Sequence, residues 1–91
     1  NFEQETQTGL VLLDFGAKWC GPCRVLAPVL DKLQNVKVCK IDIEDSPELA
    51  VKYSVMNIPK LIFLKDGQEI GKPLAGIQKQ TVLQGLVDEY S

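Results

Sequence analysis

Leu10-Val11-Leu12-Leu13-Asp14-Phe15-Gly16-Ala17-Lys18-Trp19-Cys20-Gly21-Pro22-Cys23 decides how this chain folds. Leu10 to Phe15 is an apolar run of strand length, closed by Gly16-Ala17-Lys18. From Cys23 to about Gln34 the spacing turns helical, with Leu26, Leu30 and Leu33 on one face and Val29 beside them. A strand therefore hands over to a helix at the cysteines, the first of them at the helix's opening end. The first turn of a helix has unpaired N–H groups and a partial positive charge, and both favour a thiolate over a thiol. Residues three apart share a helix face, which brings Cys20 and Cys23 within disulfide range. Pro22 gives up an N–H that the first turn leaves unpaired anyway. Gly21 leaves room for a second polypeptide beside an outer, accessible Cys20 sulfur. The spacing describes a disulfide that opens and closes.

The rest of the composition narrows the setting. Ninety-one residues, 45% apolar and 24% charged, are expected to form a single domain spanning 1–91 with one core. A net charge of −2 offers no basic footprint for nucleic acid, and no apolar run is long enough to span a bilayer. Cys20, Cys23 and Cys39 are an odd number, unlike the paired cysteines of disulfide-stapled secreted domains. With no histidine in the chain they also lack a fourth soft ligand for zinc, so no metal is expected. No basic, apolar leader precedes the first strand, and a reducing cytoplasm is the expected location.

Along the chain, residues 1–9 are polar and suit one or two helical turns, with Phe2 pinned to the core. Asp14 is the anomaly of the first strand: a carboxylate in an apolar run is costly to bury charged, so its pKa should be raised. Pro28 bends the following helix and Asn35 marks its end. Val36 to Ile43 alternates as a second strand, parallel to the first through a right-handed crossover. Lys40 in that strand reaches either solvent or a partner, and Asp14 is the candidate. Cys39 reads as a small apolar side chain. Asp45-Ser46-Pro47-Glu48 starts a short helix that runs to about Tyr53. Leu61–Lys65 and Gln68–Leu74 form a hairpin around Asp66-Gly67. A last helix, about Lys79 to Tyr90, presents Val82, Leu83, Leu86, Val87 and Tyr90 as a core stripe.

Trp19-Cys20-Gly21-Pro22-Cys23 after a strand ending Asp14-Phe15, together with Ala27-Pro28, Lys40-Ile41-Asp42, Ile58-Pro59, Lys65-Asp66-Gly67 and Gly76, resembles the thioredoxin family. The likeness runs from about Phe2 to the C-terminus. It implies an α/β thioredoxin fold: a central mixed sheet of four or five strands, helices on both faces, and a shortened N-terminus lacking the family's extra strand. It implies Cys20 as nucleophile, Cys23 as resolving cysteine, Asp14 exchanging a proton with Cys23 through a water, and Lys40 modulating Asp14. Trp19, Gly21, Pro22, Ile58, Pro59, Ala75 and Gly76 would form the substrate-docking surface, with a cis Ile58–Pro59 bond presenting the Ile58 backbone. Gly16 stands where the family often has a second Trp, which should loosen packing behind the site. Lys60 stands where Thr is usual, and it bears on which substrates dock.

The function so implied is a protein-disulfide reductase that serves cell redox homeostasis by dithiol–disulfide exchange. Its partners would be disulfide-containing proteins and thioredoxin reductase, a flavoprotein supplying electrons from NADPH, with no cofactor bound to this chain and a monomeric state. Proline before the second cysteine resembles the reducing members, whereas isomerases and oxidases usually carry His there. Two other readings stay open: a thioredoxin-like binding module whose cysteines are dispensable, and a specialised thiol oxidoreductase with a restricted partner.

Overall fold

The computed structural model describes residues 1–91. The chain runs α1 (Phe2–Thr6), β1 (Leu10–Gly16), α2 (Gly21–Asp31), β2 (Lys37–Asp42), α3 (Pro47–Lys52), β3 (Lys60–Lys65), β4 (Gln68–Ala75) and α4 (Gln80–Tyr90). The strands form one mixed four-stranded sheet in the order β2-β1-β3-β4. Strand β1 pairs parallel with β2 and antiparallel with β3, and β3 pairs antiparallel with β4. Alternation along the strands splits the core into two layers. Leu12, Leu61 and Phe63 meet Leu26 and Leu30 of α2 and Leu83 and Val87 of α4 on one face. Val11, Leu13, Phe15, Ile62 and Leu64 form the other layer, with Phe2 of α1 and Leu49 and Tyr53 around α3 packed against it. Helices therefore cover both faces, as expected.

The same alternation places Asp14 and Gly16 on the α2 side of the sheet, in step with Leu12. Their register partners on β2 are Lys40 and Asp42. Four polar or side-chain-free positions thus gather where the apolar layer ends, beneath the start of α2.

In residues 1–91 the sheet ends at β2, and residues 2–6 are helical. The β2 edge is managed by charge. The Lys37 ammonium donates to the Glu5 carbonyl at 3.0 Å and lies 3.8 Å from the Glu5 carboxylate, tying α1 to that edge. The hairpin turn carries Asp66 at φ 50° and Gly67 at φ 86°, the left-handed pair that a two-residue loop needs.

Several boundaries differ from the sequence reading. Helix α2 begins at Gly21 and not Cys23, because Gly and Pro are admissible in a first turn even though they look like loop. It ends at Asp31 and not near Gln34: the Lys32 and Leu33 amides turn to the Val29 and Leu30 carbonyls, and Asn35 then takes φ 66°. Strand β2 is one residue shorter at each end than Val36–Ile43. Helix α3 is capped by Ser46 through its backbone, with no side-chain bond, and stops at Lys52. On α4, Leu83 and Val87 face the sheet at an i, i+4 spacing. Val82 sits round the helix from them and is 47% exposed, so it does not belong to the core stripe.

Candidate functional site

Strand β1 ends at Gly16, and the loop Ala17–Cys20 closes with the Cys20 amide donating to the Ala17 carbonyl at 3.1 Å. Arg24 pins the same loop from the helix, its guanidinium donating to the Lys18 carbonyl at 2.6 Å. Cys20 then serves as the N-cap of α2, in extended conformation at φ −85° and ψ 109°. Its sulfur accepts the Cys23 backbone N–H at 3.2 Å, the role a cap oxygen usually fills. Cys20 and Cys23 are joined in a disulfide, with their Cα atoms 5.3 Å apart. The sulfur at the cap thus faces an orphan amide and the positive end of the helix, the two features that stabilise a thiolate.

The exposure of the pair departs from expectation. Cys20 was expected to carry an accessible outer sulfur, yet in this disulfide form the residue is only 4% exposed. Its sulfur is turned inward, held by the bond to Cys23 and by the Cys23 amide. Cys23 is half-buried and is the more open of the two. The rim above them is exposed: Trp19 is 64% accessible, and Gly21 and Pro22 are open to solvent.

The expected docking residues are not uniformly accessible. The Ile58–Pro59 bond is cis. Ile58 is half-buried, while Pro59 is buried and forms a wall more than a surface. The Gly76 amide donates to the Pro59 carbonyl at 2.9 Å, so the 75–76 turn and the proline loop are held together. Ala75 is exposed and Gly76, at φ 79°, is half-buried with open space where a Cβ would stand. Met56 and Ile77 add exposed apolar surface on the segments just before and after these residues. Isolated apolar residues in loops gave the sequence reading no period by which to single them out.

Asp14 sits as the apolar run implied. One carboxylate oxygen, Oδ1, is buried without a hydrogen-bond partner, and burial pushes the pKa up from its ordinary 3.8 while the Lys40 charge opposes the rise. Of the two courses open to Lys40, solvent or a partner, it takes the solvated one, and Asp14, the candidate partner, forms no ion pair with it. The Lys40 ammonium instead lies 3.6 Å from the Asp31 carboxylate at the end of α2, where both groups are solvated. An exposed pair avoids the desolvation that a buried one incurs, and the lysine stem is long enough to reach it. Lys40 acts on Asp14 only through its field.

Asp14, Lys40 and Cys23 nevertheless share one space. A cavity of about 520 Å³ lies between β1, β2 and the first turns of α2, and Asp14, Gly16, Cys23, Arg24, Lys40 and Asp42 are among its lining residues. Gly16 lets Cys23 pack close at its edge: a Cβ at that position would stand 3.2 Å from the Cys23 sulfur, tighter than an ordinary contact. Arg24, Asp42 and Asp45, which also line it, carry no distinguishing spacing in the sequence.

Residues 1–89 match the thioredoxin family profile. The chain is 44% identical over 95 residues to thioredoxin from Bacillus subtilis, covering 99% of this chain and 90% of that protein. It is 43% identical over 94 residues to thioredoxin from Listeria monocytogenes, covering 98% and 90%. Among solved structures, a mutant thioredoxin from Halobacterium salinarum superposes with a TM-score of 0.85 at 35% identity, over 94% of this chain and 78% of that one. Thioredoxin from Fasciola hepatica gives 0.83 at 33% identity, over 99% and 88%.

Proposed function

The chain belongs to the thioredoxin family and is a thiol–disulfide oxidoreductase exchanging dithiol for disulfide at Cys20 and Cys23, and from that premise we propose that it reduces disulfides in other proteins. The observation that carries the reading is Cys20 as the cap of α2, its sulfur on the Cys23 amide and Cys23 one turn behind it above a buried carboxyl.

In the reduced chain the bond that turns the Cys20 sulfur inward is gone, and the side chain can rotate toward the exposed rim of Trp19, Gly21 and Pro22. The Cys20 thiolate attacks a sulfur of the substrate disulfide, and the other substrate sulfur leaves as a thiolate and takes up a proton. Ile58, Ala75 and Gly76 offer backbone to an extended substrate segment, and Pro59 backs them as a fixed wall. Cys23 then gives its proton to Asp14 through a water and attacks the Cys20 sulfur. The second substrate thiol departs and the Cys20–Cys23 disulfide of this structure is formed. A carboxyl with a raised pKa suits that step, because it takes up a proton more readily than an ordinary aspartate and returns it when the pair is reduced again.

Two electrons per cycle come from NADPH through a flavoprotein thioredoxin reductase, and the setting is the reducing cytoplasm. The test is insulin-disulfide reduction with NADPH and thioredoxin reductase. Turnover by the wild-type chain, lost in Cys20→Ser, is the expected outcome. A folded chain that reduces no insulin would refute the reading, and a cellular role retained by the Cys20→Ser, Cys23→Ser double variant would favour a binding module.

A further inference from the structure

Cys20 and Pro59 are buried, yet three apolar side chains next to the site are not. Trp19, beside Cys20, is 64% exposed, and Ile77, beside Gly76, is 53% exposed. Met56 is 88% exposed, the most open large apolar residue of the chain and its only methionine. It stands two residues before Ile58, and two residues of chain span at most about 7 Å. The segment that carries it is fixed at both ends. Val55 packs against the layer under α3 and its amide donates to the Ala50 carbonyl at 2.8 Å. The Pro59 carbonyl accepts the Gly76 amide at 2.9 Å. A side chain so exposed contributes little to the fold. Beside the backbone proposed to meet substrate, an unbranched thioether offers a soft apolar contact that adapts to different partner surfaces.

We propose that Met56 is an oxidisable contact for protein substrates: hydrogen peroxide converts it to the sulfoxide, which slows reduction of protein disulfides while leaving the Cys20–Cys23 pair intact. The proposal rests on the protein-disulfide reading and adds a regulatory modification to the same site. The Met56 sulfur attacks one oxygen of the peroxide, and an S–O bond forms as the O–O bond breaks. The other oxygen leaves as hydroxide and takes the proton of the sulfur-bound oxygen, giving water. Sulfur loses two electrons and the peroxide gains them. The product is polar, and pressing it against an apolar partner surface forfeits the contact.

The other sulfurs are better protected than this one. In the disulfide form neither Cys20 nor Cys23 has a thiolate to offer peroxide. Cys39 is a free thiol, but it is half-buried, and burial pushes its pKa up, away from the reactive thiolate. Oxidation of a thioether needs no thiolate, and the Met56 side chain stands in solvent.

The test treats the disulfide form with hydrogen peroxide until mass spectrometry shows one added oxygen, which peptide mapping should place on Met56. With dithiothreitol as reductant, insulin-disulfide reduction by the oxidised chain should fall by about fivefold. A small aromatic disulfide needs no docking rim. Its reaction with the reduced chain, freed of dithiothreitol, should stay within about twofold of the untreated rate. Met56→Leu should reduce insulin at the same rate before and after peroxide, which assigns the effect to this sulfur and not to Cys39 or Trp19. Met56→Gln, polar without any oxidant, should resemble the oxidised wild type in both assays. Oxygen appearing first on another residue, an undiminished insulin rate after oxidation, an equal loss in Met56→Leu, or an equal loss with the small disulfide would overturn the proposal. Insulin reduction by the untreated chain that oxidation leaves unchanged sinks this inference alone. A folded, untreated chain that reduces no insulin sinks the protein-disulfide reading, and this inference with it.

Discussion

Replacing Asp14 by alanine should make the protein more stable while making it a poorer catalyst. Asp14 Oδ1 is buried with no hydrogen-bond partner. An unsatisfied buried polar group costs about 1–3 kcal/mol, and more when it is charged. The Lys40 charge recovers part of that cost without a direct contact. Alanine leaves little new void, because the carboxyl already borders an open cavity. The net gain should be about 1–2 kcal/mol near pH 8, or a rise in Tm of about 4–8 °C for each kcal/mol in a domain of this size.

The sign with pH follows from the raised pKa. The folded chain holds the Asp14 proton more tightly than the unfolded chain, whose value is the ordinary 3.8. Proton binding therefore favours the fold at low pH, and that contribution is lost as pH rises from 3.8 through the folded value. The advantage of the variant should accordingly be largest above the folded pKa and shrink toward pH 3, where both states are protonated. Asp14→Asn, which removes the charge and keeps the volume, should share the pH dependence. Urea melts from pH 3 to pH 8 read the stability, and release of a trapped mixed disulfide should slow by about tenfold or more. A stability gain independent of pH, or none at all, would refute the burial argument. An unchanged release rate would remove Asp14 from the exchange chemistry.

Other outcomes follow from single contacts. Lys40→Ala should raise the Asp14 pKa further, read by carboxyl NMR, while loss of its solvated contact with Asp31 should cost less than about 1 kcal/mol. Gly71→Ala should destabilise by about 2 kcal/mol, because the residue sits at φ 68° and its new Cβ would meet the Tyr90 hydroxyl and ring. Thermal melts should show the loss, with weakened packing of Tyr90 on Phe63. Leu12→Ala, wholly buried between α2 and α4, should cost about 2–5 kcal/mol in a denaturant titration.

The strand, the cysteine pair and the buried carboxyl were legible because each breaks a local pattern. Cys20 falls where a period of two changes to helical spacing, and Asp14 is a charge inside an apolar run. The hairpin was legible for the same reason, since Asp66-Gly67 supplies both left-handed residues of its turn. What was hidden depends on contacts between distant segments. Lys40 has a carboxylate beside it in the sheet, yet its stem lets it prefer Asp31 at the surface. The inward turn of the Cys20 sulfur is fixed by one amide and one covalent bond, neither of which hydrophobic spacing records. Gly16 was visible as a missing side chain, but its close contact with the Cys23 sulfur required α2 to be placed over the end of β1.

The burial of Cys20 makes it the residue on which the account turns. Reduced Cys23→Ser chain mixed with a disulfide-bearing target protein should trap a mixed disulfide, and peptide mapping should place the bond on Cys20. Cys20→Ser under the same conditions should trap little of that protein. Failure of folded Cys23→Ser to capture the target, or capture of the protein chiefly through Cys23, would contradict the assignment.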